Sequence, residues 1–340
     1  MATPVPVVVV AGFLGAGKTS LVNHLVSQCH DLRAAVVVND FGAINIDAEL
    51  VVGVDGNVYG LANGCICCAI RDDLVSTCLG LIRTFGALDL VIVETSGASD
   101  PLQVANAFMR PELAGMMQVS AILGVVDAVH FGRHEGDIAQ LARTQLSVAD
   151  IVVLNKADLV SVGGLAEMKA VISETATRAR ILETSHGIVP LNLVLDLTRL
   201  PALGGRARFL ADGGGNAHTY LATWVWEQSQ PLALNKLREA FDALPAGLYR
   251  AKGFIHLDEM PDRKILLQMV GRRSSLNAGG PWNGQGPATR VVMIGAPDAM
   301  SPNALRDTLD ASVADPGSPS ALRLLVSQLS VQTHGAPDAL

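Results

Sequence analysis

The sequence predicts a doubly wound α/β domain of the P-loop type followed by a smaller α+β domain, and three observations lead to that reading. Short β-branched runs alternate with amphipathic stretches in the first part of the chain. The run Val7–Val10 leads into Gly12-Phe13-Leu14-Gly15-Ala16-Gly17-Lys18-Thr19, a complete G-x-x-x-x-G-K-[ST] sequence, which then opens a helical stretch. A glycine-rich break over Pro201–His218 separates this pattern from a second one with a different order of elements.

The elements follow in order. Val5–Val10, Ala34–Val38, Leu88–Val93, Val119–Val126, Ile151–Leu154 and Arg180–Glu183 read as strands of a parallel sheet, each a short apolar run. Between them, Thr19–Ser27, Asp72–Phe85, Pro101–Arg110, Asp137–Ser147 and Leu165–Ala179 read as helices, several opened by Asp, Ser or Pro as helix starts prefer. Beyond the break, strands are expected at Thr219–Trp226, Tyr249–Leu257, Lys264–Val270 and Arg290–Gly295, with helices at Leu232–Leu244 and Ser301–Ala311. The stretch Asn277–Pro287 reads as a loop between two of those strands, and the chain from Val313 as a partly flexible tail. The expected organisation is a nucleotide domain over 1–200, a linker over 201–218, an α+β domain over 219–312 and a tail over 313–340.

Composition narrows the classes of function. A chain of 340 residues, 49% of them hydrophobic, has the material for two buried cores. A net charge of −7 argues against a nucleic-acid surface, so small molecules or proteins are the expected partners. No apolar run approaches the roughly 20 residues that span a bilayer, and the start Met1-Ala2-Thr3-Pro4-Val5 lacks the basic segment of a signal peptide, so no membrane partner and a cytoplasmic location are expected. Five cysteines, three of them crowded at Cys65, Cys67 and Cys68, suit metal or redox chemistry in a reducing compartment better than a disulfide framework.

The chemistry of the first motif lies in the backbone. Glycines let successive N–H groups turn inward around phosphates, while the helix that follows points its positive dipole end at them. Gly12, Gly15, Ala16, Gly17, Lys18, Thr19 and Ser20 are therefore the expected phosphate-binding set. The Lys18 ammonium is expected to reach the β- and γ-phosphates, and the Thr19 hydroxyl to ligate Mg²⁺. Asn155-Lys156-Ala157-Asp158 is an N-K-x-D sequence at a strand end, and it favours GTP over ATP, because the Asp158 carboxylate accepts from both N1–H and the exocyclic amine of guanine. An ATP-using kinase is disfavoured for the same reason. Ser185, in Thr184-Ser185-His186-Gly187, is placed to offer a backbone amide to guanine O6, with a simple turn the competing reading.

Val91-Ile92-Val93-Glu94-Thr95-Ser96-Gly97 puts an acid at the end of a buried strand and a glycine three residues on, the layout of a γ-phosphate-sensing switch. Glu94 is expected to hold Mg²⁺ through water or to orient the attacking water, which makes Lys18 and Glu94 the candidate catalytic pair, and Gly97 to give its N–H to the γ-phosphate. The alternative is a strand-ending turn whose Glu94 caps the helix opened by Ser99-Asp100-Pro101. A second acidic segment, Asn39–Asp47, is a candidate to close over the nucleotide.

Asn63-Gly64-Cys65-Ile66-Cys67-Cys68 is a C-x-C-C cluster whose thiolates suit Zn²⁺, Co²⁺ or Cu⁺, and three ligands leave a tetrahedral site one position open, as transfer requires. Cys29 and Cys78 fall within helical patterns and read as buried small apolar residues.

Together these motifs resemble the CobW-type P-loop GTPase family of metal chaperones and metallocentre assembly proteins. The resemblance rests on Gly12–Thr19, Asn39–Gly42, Asn63–Cys68 with Arg71 and Asp73, Glu94–Gly97 with Asp100-Pro101, Val126-Asp127 and Asn155–Asp158. Beyond the break, Tyr249–Phe254 and Arg290–Gly295 extend it over nearly the whole chain. It implies a GTP-driven protein that binds a transition metal at Cys65, Cys67 and Cys68 and hands it to a client metalloprotein or cofactor-assembly protein. Thiolate ligands fit zinc and cobalt about equally, and with no intrinsic arginine finger evident, GTP hydrolysis is expected to be slow without an activator. Two features depart from the family: Asp40 stands where Glu is common, and the linker carries only His218 in place of a histidine-rich metal store. The alternative function is a GTP-dependent switch or assembly factor acting on a partner without metal transfer. The oligomeric state, with a homodimer one option, is not set by these residues.

Overall fold

Four consecutive valines start the architecture. Val7–Val10 are all fully buried in strand β1 (Val5–Ala11), as expected of a β-branched run covered on both faces of a parallel sheet. The computed structural model describes residues 4–29, 32–39, 58–60, 69–86, 88–132, 136–195, 221–282, 286–299 and 301–315. The Asp40–Asp47 part of the second acidic segment, the cysteines Cys65, Cys67 and Cys68, the linker with His218, and the tail from residue 316 lie outside them, as do the side chains of Asn39, Arg71 and Asp73.

The chain divides into two compact units. In the first, β1, β2 (Ala34–Asn39), β3 (Val58–Gly60), β4 (Leu90–Thr95), β5 (Met117–Asp127), β6 (Ile151–Asn155) and β7 (Arg180–Glu183) form a parallel sheet in the order β3-β2-β4-β1-β5-β6-β7. The helices are α1 (Lys18–Ser27), α2 (Ala69–Phe85), α3 (Pro101–Ala107), α4 (Gly136–Ser147) and α5 (Val162–Thr175). From β1 the chain first runs to β2 on one side and later from β4 to β5 on the other. Right-handed crossovers in opposite directions place their helices on opposite faces, giving the doubly wound form. Val7 and Val9 enter a core with Leu74, Cys78 and Leu81 of α2 and Val104 of α3. Val126, Val152 and Leu154 enter another with Leu146 of α4 and Ile172 of α5.

Because every strand runs the same way, with Val10 level with Glu94 and Asp127 level with Asn155, their carboxyl ends form one edge. The end of β1 is where the strand order reverses, the place where such sheets take ligands.

In the second unit, β8 (Ala222–Gln228), β9 (Leu248–Ile255), β10 (Arg263–Val270), β11 (Arg273–Pro281) and β12 (Thr289–Gly295) form an antiparallel sheet ordered β11-β10-β9-β12-β8. Helices α6 (Leu234–Asp242) and α7 (Pro302–Asp310) pack on one core, where Leu237, Ala240, Leu305 and Leu309 meet Trp226, Ala251, Leu267 and Met293.

The structure corrects several expected boundaries. Asn277–Pro281, read as loop, is the second half of β11, which pairs with β10 from Val270–Arg273 to Arg263–Pro281 around Gly271 at φ 59°. This edge strand is exposed along nearly its whole length, so it lacks the apolar alternation by which strands are read. Helix α5 begins three residues early because Ser161 caps it, accepting from the Gly164 N–H at 3.2 Å, and it ends at Thr175 rather than Ala179. Helix α3 stops at Ala107, short of Arg110. β8 begins at Ala222, and β3 is a strand the pattern did not reveal. Among the described residues no helix is long and apolar enough to cross a membrane.

Candidate nucleotide site

The loop from Gly12 to Gly17 leaves the end of β1 with three glycines at positive φ: 142° at Gly12, 75° at Gly15 and 101° at Gly17. Two of them have no room for a side chain. A Cβ at Gly12 would stand 2.2 Å from the Val125 carbonyl oxygen, and one at Gly17, the left-handed residue that starts α1, would stand 2.2 Å from Asn155 Nδ2. The glycines are thus fixed by contact with β5 and β6 as well as by backbone conformation.

Lys18 and Thr19 open α1. Lys18 is only 8% exposed, and its Nζ donates to the Phe13 carbonyl at 3.4 Å, so the chain folds back over the loop. Thr19 Oγ1 donates to Glu94 Oε1 at 2.8 Å. Glu94, 2% exposed at the end of β4, therefore meets the loop and does not cap the following helix; Asp100 caps α3 by accepting from Leu102 N–H at 2.9 Å. A threonine hydroxyl and a carboxylate oxygen brought together at the start of α1 are the hard oxygen donors that suit Mg²⁺. Ser20 is exposed in the same first turn, and Ala16 is buried.

The N-K-x-D residues divide between two tasks. Asn155, 2% exposed, donates through Nδ2 to the Ala16 carbonyl and accepts at Oδ1 from the Gly187 N–H, both at 2.9 Å. Lys156, at φ 60°, sends Nζ to the Gly15 carbonyl at 3.0 Å and to Asp127 Oδ2 at 2.6 Å. These two side chains pin the phosphate loop to the ends of β5 and β6. Asp158 instead stays exposed, and a hydrogen bond from Ser185 holds its carboxyl below the usual range, against a smaller opposing effect of burial and with help from a backbone bond and the nearby His186. Ser185 thus reaches Asp158 with its side chain.

Asp127 enters the sequence reading only as part of the family resemblance, with no contact assigned to it. Burial pushes its carboxyl up, but hydrogen bonds from Lys156, His130 and the Val129 N–H, together with the Lys156 charge, outweigh it and leave the group below the usual value. Gln145 of α4 was missed entirely. It is 1% exposed and donates to the carbonyls of Gly97 and Ser99. A polar residue three positions after Ala142 and beside Leu146, where the helical period calls for an apolar one, was the available clue. Gly97 is buried against the loop: a Cβ there would stand 2.6 Å from the Leu14 side chain. A cavity of about 260 Å³ lies beside the loop, walled by Gly12–Ala16, Val125–Asp127, His130, Phe131, Gln145 and Lys156 among others. Among the described residues no three His, Cys, Asp or Glu side chains cluster as a metal site.

A switch-point phosphate loop on a parallel sheet, met by a strand-end acid and by an N-K-x-D strand end, defines a class: the chain is a P-loop GTPase. Within that class it belongs to the CobW/HypB/UreG family. The family profile described as CobW/HypB/UreG, nucleotide-binding domain, matches residues 6–183, and that of the cobalamin synthesis protein cobW C-terminal domain matches residues 221–313. The chain is similar to a zinc chaperone CobW of Pseudomonas aeruginosa, 33% identical with 85% of this chain and 87% of that protein aligned. It is 29% identical to a zinc chaperone CobW of a Sinorhizobium species over 91% of this chain and 97% of that protein. It is 30% identical to a zinc-regulated GTPase metalloprotein activator 1 of Schizosaccharomyces pombe over 68% of this chain and 55% of that protein.

Proposed function

We propose that this GTPase is a cytoplasmic metal chaperone that takes one transition-metal ion, zinc or cobalt, at Cys65, Cys67 and Cys68 and delivers it to a client metalloprotein or cofactor-assembly protein. The observation that supports the reading is the 2.8 Å hydrogen bond from Thr19 to Glu94, which joins the phosphate-binding motif to the segment leading to Gly97; in this reading the position of that segment follows what the loop holds. The names of the similar zinc chaperones and the three thiols in four positions support metal as the cargo.

In this reading the N–H groups of Gly12–Thr19 cradle the phosphates, Lys18 neutralises the β- and γ-phosphates, and Asp158 reads the guanine edge, with Ser185 orienting its carboxylate. Asn155 and Lys156 act on the nucleotide through the loop they hold. Thr19, with Glu94 through water, would hold Mg²⁺, whose charge offsets that developing on the phosphates. Glu94 also orients the attacking water, and the Gly97 N–H meets the γ-phosphate. The Asn39–Asp47 and Glu94–Gly97 segments take one arrangement with GTP and another with GDP, and metal affinity at the cysteines follows.

The test separates the two halves. Lys18→Ala abolishes nucleotide binding, and retention of tight GTP binding overturns the phosphate-loop assignment. Cys67→Ser and Cys68→Ser lose bound metal while keeping GTP binding; unchanged metal stoichiometry in both overturns the cargo site.

A further inference from the structure

The side chain of Gln145 is buried on α4, yet what it serves is the turn after β4. Its Nε2 donates to the Gly97 carbonyl at 3.0 Å and to the Ser99 carbonyl at 2.9 Å. A primary amide has two N–H donors, so this group commits both to one short turn, and two facing acceptors fix which end of the amide is nitrogen. The turn has local order of its own: Ser99 N–H donates to the Ser96 carbonyl at 3.0 Å, and Ala98 N–H to Ser96 Oγ at 3.2 Å. Its other side lies on the phosphate loop, where a Cβ at Gly97 would stand 2.8 Å from the Leu14 nitrogen. Gly97 is therefore held between the amide of α4 and the backbone of the loop. Gln145 and the loop also share the walls of the adjoining cavity.

We infer that Gln145 is the positioning residue that sets the Gly97 N–H at the height where a γ-phosphate meets it, and that it passes the presence of that phosphate to α4. This rests on the reading of Gly97 as the γ-phosphate sensor. With both amide hydrogens given to the turn, Gln145 acts through Gly97. Without it, two buried carbonyls lose their donors and the turn rearranges to find others, taking the Gly97 N–H with it. GDP, which has no γ-phosphate, is indifferent to the change.

Two variants of nearly equal size test this, Gln145→Met, which removes both donors, and Gln145→Glu, which sets a carboxylate against two carbonyls. The Kd for GDP, the Kd for a non-hydrolysable GTP analogue with Mg²⁺, kcat at saturating GTP and the melting temperature are measured for each. The expected result is GDP affinity within about twofold of wild type, with analogue affinity and kcat each about tenfold lower, the cost of one to two lost buried hydrogen bonds. In Gln145→Glu alone, analogue affinity recovers as pH falls from 8 towards 6, because a protonated carboxyl donates to one carbonyl again. Equal losses for GDP and analogue that track the melting temperature make Gln145 a fold residue only and overturn the inference. Unchanged analogue affinity and kcat in both variants overturn it as well, while a wild-type protein that binds GDP and the analogue equally overturns the Gly97 reading beneath it.

Discussion

Replacing Asn155 with Ala should cost nucleotide affinity without changing which base is chosen. Both ends of the Asn155 amide are in 2.9 Å hydrogen bonds, one to the Ala16 carbonyl inside the phosphate loop and one from the Gly187 N–H. Truncation leaves both backbone groups without that partner, at about 1–3 kcal/mol for each buried group. The loop borders solvent and water can reach part of it, so the lower half of the range applies and the pair amounts to about 2–4 kcal/mol. About 0.6–1.2 kcal/mol of this falls on the free protein, lowering its melting temperature by about 2–4 °C. The rest appears as a loop that must be ordered on binding, about 10- to 100-fold in affinity for GDP and GTP alike. Titration of fluorescent GDP, GTP analogue and ATP, alongside a melting curve, measures all of these. Asp158→Asn gives the opposite pattern, little change in melting temperature and a lost preference for guanine over other bases. An Asn155→Ala protein that melts as wild type and binds GDP as tightly would refute the loop-pin role, and one that binds GDP normally but accepts ATP would return Asn155 to the base.

Two further predictions come from titratable groups. Burial pushes the thiols of Cys29 and Cys78 up to about 11 and about 12, so iodoacetamide at pH 8 spares both in the folded protein. Peptide mass spectrometry should find alkylation confined to Cys65, Cys67 and Cys68 and suppressed by zinc, and rapid native labelling of Cys78 contradicts this. In the second unit, burial lowers Lys252 on β9 from 10.5 to about 8. Between those values the unfolded chain binds more protons than the folded one, so this group's contribution to stability rises with pH across that window. The melting temperature of wild type relative to Lys252→Met should therefore climb from pH 7.5 to pH 10, by a modest amount because the side chain is only half buried; a flat difference contradicts it.

Much of this was legible in the sequence because fixed residue types do fixed jobs. Only glycine fits at Gly12 and Gly17, and a lysine and a serine or threonine follow in the motif, so Gly12–Thr19 could be read without any contact being known. The buried strands of the parallel sheet were equally open, since Val7–Val10 and Ile151–Leu154 are apolar on both faces. What escaped notice was either polar where the pattern expects apolar, or defined by partners far along the chain. β11 is an exposed edge held by backbone pairing, and no apolar face marks it. Gln145 spends its side chain on carbonyls 46 and 48 positions away. The N-K-x-D pattern suggests base recognition, and only the fold reveals that Asn155 and Lys156 reach back to Ala16 and Gly15.

In the proposed cycle, nucleotide state sets metal affinity. The direct measurement is Zn²⁺ and Co²⁺ affinity by competition with a chromophoric chelator under reducing conditions, on protein loaded with GDP and on protein loaded with a non-hydrolysable GTP analogue. Different affinities are expected in the two states, with the difference lost in Cys67→Ser. Equal affinities in both states, or no binding in either, contradict a metal chaperone and leave a GTP switch that acts on a partner protein.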